Sequence, residues 1–132
     1  MIRVGIIIAL VAILATLATL EQHWVQGSYR ELERRTDALI SSIGLLGEDE
    51  RVDSYENKAM IDEMYDFWVR RERRLTMLAR HFDLSQISMN IIYVKNFIYF
   101  DNKEEAFVGI LNIQYLIKTH SFNVGTSIQN II

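Results

Sequence analysis

The chain has 132 residues, half of them hydrophobic (50%), with 14 Lys and Arg against 17 Asp and Glu and a net charge of −3. That length holds one domain, and the near-balanced charge gives no general pull toward nucleic acid. Cysteine is absent, which excludes disulfides, thiolate metal sites, a cysteine nucleophile and a lipidated cysteine; proline, the strongest helix breaker, is absent as well.

The stretch Val4 to Leu20 (VGIIIALVAILATLATL) carries no charge, with Arg3 before it and Glu21 after it. A spanning helix needs roughly 20 mostly apolar residues, and this uncharged run of about 17 lies near the lower limit. Lipid offers no partner to free backbone groups, so the span must be helical. Thr16 and Thr19 are tolerable because their hydroxyls can bond carbonyls one turn back. Trp24 suits the membrane interface. The expectation is an uncleaved transmembrane anchor over residues 1–20 and an extracytoplasmic body over 21–132. A cleaved signal peptide is the competing reading, although Thr16-Leu17-Ala18 makes a poor cleavage site; a buried core helix is the third. Arg3 and the amino terminus are the only positive charges ahead of the span, which points to a cytoplasmic N-terminus. Arg30, Arg34 and Arg35 on the other flank pull the opposite way, mixed with Glu21, Glu31 and Glu33.

The body reads as helices. Helix 1 continues from the anchor, with apolar positions at Val25, Tyr29, Leu32, Leu39, Ile40, Ile43 and Leu46 and Thr36 filling the missing step. Gly27 allows a bend, and Gly47 suits a C-terminal cap. Residues 48–53 (EDERVD) read as a solvated charged turn without the oxygen-ligand spacing of an EF-hand loop. Helix 2 starts near Asp53 or Ser54, where Asp53 and Glu56 have capping-box spacing. Its stripe is Met60, Ile61, Met64, Phe67, Trp68, Leu75, Leu78 and Phe82. A third helix follows the turn His81-Phe82-Asp83-Leu84, with Asp83 and Gln86 spaced as a box. Ile87, Ile91, Val94 and Ile98 form its stripe, widened by Met89, Ile92, Tyr93, Phe97, Tyr99 and Phe100, so this helix is expected to be the most buried. A strand over NIIYVKNFIYF is the alternative. Helix 4 opens at Asp101, with Glu104 three positions on, and its stripe is Ala106, Ile110, Ile113 and Ile117. Small Gly109 lets a neighbour approach, and Gly125 ends the helix before a last turn capped by Thr126 or Ser127. Short links among about four helices predict an all-α, antiparallel up-down bundle.

The residues Trp68, Leu75 and His81-Phe82-Asp83-Leu84-Ser85-Gln86-Ile87 resemble an uncharacterised bacterial domain-of-unknown-function family. Its members are short, N-terminally membrane-anchored helical proteins of Gram-positive spore-forming bacteria. Asp101-Asn102-Lys103-Glu104-Glu105-Ala106 is similar to that family's acidic turn, and Leu116, Ile117, His120 and Asn130-Ile131 match more loosely. The resemblance spans nearly the whole chain, but the motifs are degenerate and Arg70 to Arg74 match nothing in it. It implies a location and a fold; no activity is attached to it.

Chemistry is sparse. His23, His81 and His120 form no metalloprotease-type pair, the serines lack a nucleophile-elbow context, and no glycine loop cradles a phosphate. His81 with Asp83 is the sharpest local pair, either a hinge between helices 2 and 3 or a cap at the end of helix 2; Asp101 is a further cap. Asp62, Glu63 and Asp66 read as a solvated face. Arg70, Arg71, Arg73 and Arg74, with Arg80, are the densest positive patch. Helix 1 rises roughly 38 Å beyond the membrane at 1.5 Å per residue, and helix 2 must return over that length. The arginines therefore come back toward the bilayer, where they suit lipid headgroups or an acidic partner. The sequence thus points to a single-pass membrane protein of the cell envelope without catalytic, cofactor or metal residues. It would serve as a structural or interaction module that contacts another membrane or envelope protein or its own copy, and not nucleic acid. The alternative is a small-ligand-sensing or accessory subunit of a membrane complex, with a core pocket lined by Trp68, Tyr93 and Phe97.

Overall fold

The structure is a computed structural model that describes residues 1–77 and 81–129, with side chains placed for 1–77 and 83–121. Four helices follow one another: α1 (Ile2–Gly44), α2 (Tyr55–Leu75), α3 (His81–Tyr99) and α4 (Lys103–Gln129). No strand occurs among the described residues, so the sheet reading of the third segment fails.

α1 is one uninterrupted helix of 43 residues with two different environments. Every residue from 1 to 21 is exposed. The hydroxyls of Thr16 and Thr19 donate back to the carbonyls of Ala12 and Ala15, both at 2.8 Å, so neither presents a free donor. From Val25 onward the helix buries Ser28, Tyr29, Leu32, Thr36, Leu39 and Ile43, at spacings of three or four. The two hydroxyls in that stripe are satisfied within the helix: Ser28 donates to Trp24 O at 2.9 Å and Thr36 to Glu33 O at 2.7 Å. The helix passes straight through Gly27, with no break there. Its end differs from the expected glycine cap. Leu45, with ordinary helical dihedrals, is the capping residue, and no described glycine has a positive φ.

The neighbours are antiparallel, as side-chain pairings along the bundle establish. Ser42 on α1 bonds Asn57 on α2, Arg35 lies over Phe67, Tyr29 meets Trp68, and Trp24 meets Arg71 and Arg74. Between α2 and α3, Trp68 bonds Ser88 and Asp62 bonds Tyr99. α4 then returns beside both α3 and α1, with Gly109 against Val94, Gln114 bonded to Asp37 and Gln26 to Ser121 O. The core fills the centre with Leu32, Leu39, Ile61, Met64, Trp68, Ile91, Val94, Ile98, Ile110 and Ile113, among others. The α1–α2 and α3–α4 turns share the far end. The end of α2 and the start of α3 lie at the end nearest the bare half of α1.

Capping departs from the sequence expectations at three places. Ser54, not Asp53, caps α2 by accepting from Asn57 N at 3.2 Å, because Asp53 is held by a two-pronged bond from Arg51 at 2.8 and 2.9 Å. Asp83 is already helical in the first turn of α3, so the Asp83–Gln86 box does not form; its charge instead complements the helix dipole. α4 opens on Asn102, whose Oδ1 accepts from Glu105 N at 3.3 Å. Asp101 closes α3 instead of opening α4. Its φ is 56°, and Asn102 N donates to Phe97 O at 2.8 Å while Asp101 N donates to Ile98 O at 3.2 Å. That is a Schellman cap with aspartate in the left-handed position usually given to glycine.

Two further expectations are corrected. α3 is not wrapped in protein: Met89, Ile92, Tyr93 and Tyr99 are exposed, as is Phe100 just past its end, and among its described side chains only Leu84, Ile87, Ile91, Val94 and Ile98 are buried. α4 runs through Gly125 to Gln129 without ending there. Leu78, Arg80 and the closing Ile131-Ile132 lie outside the described residues, as do the side chains of His81 and Phe82.

Candidate functional site

The end of the bundle nearest the bare half of α1 is built from α1 just past that half and from the last two turns of α2. Trp24 is half-buried there. The guanidinium of Arg74 sits 4.5 Å from the centre of its ring and that of Arg71 sits 5.1 Å away; Arg71 also lies 5.3 Å from Phe67. Cations over an indole face are attracted by its quadrupole, and a stacked guanidinium keeps its in-plane N–H groups free. Arg70, Arg73 and Arg74 are exposed, as is Met77 beyond them. Among the described residues, no carboxylate forms an ion pair with any of Arg70, Arg71, Arg73 or Arg74. The arginines contrast with those of α1, where Arg34 and Arg35 are tied to Glu31 at 2.7 and 3.1 Å.

A second group lies deeper at the same end. His120 on α4 is 6% exposed, and its Nδ1 is 3.7 Å from Asp83 Oδ2 on α3. Neither of its ring nitrogens has a hydrogen-bond partner among the described residues. Burial, with the Asp83 carboxylate adding to it, pushes the Tyr29 phenol up to about 12. The pair has the chemistry of a buried imidazole beside a carboxylate, which becomes catalytic only with a nucleophile or substrate proton in reach.

No family model, curated protein or solved structure matches the chain.

The remaining candidates resolve into structural roles. Asp62 accepts from Tyr99 Oη at 2.6 Å and pairs with Lys95 at 3.0 Å. Burial raises the Asp62 carboxyl, but the bonds from Tyr99 and Lys95 outweigh it and hold it below its usual range. Glu63 turns instead toward Arg35 at 3.9 Å and Asp66 is exposed, so these three carboxylates do not form one acid–base centre. At the end of α2, Thr76 N and Oγ1 both donate to Glu72 O, at 2.9 and 2.8 Å. His81 is the first residue of α3. Trp68 is fully buried and donates to Ser88 Oγ at 2.8 Å, whereas Tyr93 is half-exposed on the outer side of α3; with Phe97 they do not converge on one pocket. Among the described residues no three His, Asp or Glu side chains cluster as metal ligands would.

The charged turn at 48–53 hides a feature that composition does not reveal. Val52 is fully buried, its N–H donates to Asp101 Oδ1 at 2.8 Å and its carbonyl accepts from Asn57 Nδ2 at 3.0 Å. Arg51 reaches Asp101 at 3.5 Å, and Lys103 donates to Gly47 O at 2.7 Å. Both far-end turns are thereby tied together.

Proposed function

We propose that the protein is a single-pass, membrane-anchored helical module of the bacterial cell envelope, acting as a structural or protein-interaction element and not as an enzyme. The observation that carries this reading is the division of α1. One helix is wholly bare over its apolar first half, with none of its most hydropathic window buried, and is the spine of the core over its second half. A bare apolar helix of that length costs too much in water and suits a bilayer of about 30 Å. The orientation proposed has the N-terminus in the cytoplasm and the body outside, supported by Arg3 and the amino terminus on the short leading side. The interaction role is supported by the exposed, uncharged positions Met89, Ile92 and Tyr93 on α3, Phe100 just past its end, and Leu111 and Tyr115 on α4.

Alkaline carbonate extraction of cell membranes, followed by intact-mass measurement of the retained chain, tests the anchor. The reading expects the full-length chain in the pellet. Release into the wash, or a mass lacking the first twenty or so residues, overturns it. Crosslinking in intact membranes before purification tests the interaction role, with a defined protein adduct or a dimer as the expected result.

A further inference from the structure

We infer that the arginine end of α2 is a lipid-phosphate platform: Arg71 and Arg74, seated on Trp24, with Arg70 and Arg73 beside them, bind anionic headgroups of the bilayer that α1 enters. The inference rests on the anchored reading above. Its own support is positional and chemical. Trp24 follows the uncharged run of α1 by about one turn, roughly 6 Å of rise, and so stands at headgroup depth when that run fills the hydrocarbon. The antiparallel register then brings Arg71 and Arg74 to the same depth, at 5.1 and 4.5 Å from the Trp24 ring. Both guanidinium groups are held over the ring by cation–π attraction without a carboxylate partner among the described residues, and a guanidinium can grip a phosphate with two parallel bonds. Arg70 and Arg73 add two exposed charges beside them, and none of the four is neutralised by an ion pair among the described residues. Just past the arginines and the end of α2, Met77 is 87% exposed. A basic rim with an apolar tip is the arrangement of a surface that sits in an interface and not one that faces water. The acidic residues nearest in sequence are Asp66 and Glu72 on α2 and Glu21 on α1; Asp83, at the same end, faces His120 instead of the arginines.

The test uses the full chain in nanodiscs, with the immobilised fraction of spin-labelled phosphatidylglycerol compared with that of spin-labelled phosphatidylcholine. The wild-type chain is expected to prefer the anionic lipid several-fold at low salt, since each basic residue near an anionic surface adds at most about fivefold. The preference shrinks as salt is raised. Replacing all four arginines with glutamine abolishes it. R70Q/R73Q, which leaves the pair stacked on Trp24 in place, reduces it and decides the matter if the quadruple variant fails to fold. Equal retention of both lipids by the wild-type chain, or an unchanged preference in R70Q/R73Q, overturns the platform. A chain that does not enter the nanodisc at all overturns the anchored reading, and the platform with it; a chain that enters without lipid preference overturns the platform alone.

Discussion

Gly109→Ala is the substitution whose outcome the packing of α3 on α4 determines most sharply. An added Cβ at this position would stand 2.6 Å from Val94 Cγ2, about 1 Å inside an ordinary carbon–carbon contact. Val94 is fully buried, and a β-branched side chain in a helix has one strongly preferred rotamer, so the methyl cannot swing aside. The two helices must separate. Alanine is intrinsically better than glycine in a helix by about 1 kcal/mol, while overpacking of this kind costs about 1–3 kcal/mol. The net expectation is a loss of up to about 2 kcal/mol, or a midpoint lowered by up to roughly 10 °C. Gly27→Ala is the internal control: nothing lies within 4 Å of its added Cβ, so only the helix gain of about 1 kcal/mol remains and the midpoint rises. Thermal unfolding of the full chain in detergent micelles, followed by circular dichroism, measures both. In a Val94→Ala background the clash is gone, and Gly109→Ala becomes neutral or stabilising. Two results would each refute the reasoning: a gain matching that of Gly27→Ala, or an effect of Gly109→Ala that Val94→Ala does not alter.

Asp101→Ala removes both a left-handed-tolerant residue and the acceptor for the buried Val52 N–H, and is expected to cost about 2–3 kcal/mol; Asp101→Asn, which keeps an acceptor and tolerates that backbone, costs under about 1 kcal/mol in the same melting assay. Ser88→Ala leaves the Trp68 indole N–H buried without its partner and lowers stability by about 1–3 kcal/mol, with a change in near-ultraviolet circular dichroism from the tryptophan. Tyr29 titrates at about 12 in the folded chain against 10 when free, so its contribution is fully present below pH 10 and is lost as pH rises toward 12, at about 1.4 kcal/mol per unit. Tyr29→Phe should remove that part of the alkaline slope, as denaturant midpoints across this range would register.

Periodicity made α1 legible because its burial obeys one rule over the whole of its second half: Val25, Tyr29, Leu32, Thr36, Leu39 and Ile43 recur every three or four residues. The same rule misjudged α3. Met89, Ile92, Tyr93 and Phe100 are apolar, but they lie opposite the Ile87–Ile91–Val94–Ile98 stripe, and hydropathy alone does not separate a core face from an uncharged outer one. The return of the arginines to the end nearest the bare half of α1 followed from helix length and antiparallel order. Their seat on Trp24 did not, because it depends on the register between α1 and α2. The caps were misplaced for a local reason. Asp53 and Asp101 have the spacing of capping residues, yet each is drawn to a stronger partner, Arg51 in one case and the Val52 N–H in the other. Only the folded chain brings residues 51 and 52 beside 101. Burial of His120 was equally hidden, since it continues the stripe of Ile110, Ile113 and Ile117 with a polar residue.

The central claim is that α1 crosses a bilayer and then becomes the spine of the body without a break. Single cysteines placed along α1 of the full chain test it most directly, because the chain has no thiol of its own. Ile8, Leu14 and Ala18 would report on the bare half, and the exposed positions Arg30 and Ser41 on the outer face of the second half. In native membranes, with a membrane-impermeant maleimide added from outside, the account predicts no labelling at 8, 14 and 18 and ready labelling at 30 and 41. Labelling at 8 and 14 to the same extent as at 30 and 41 would contradict it.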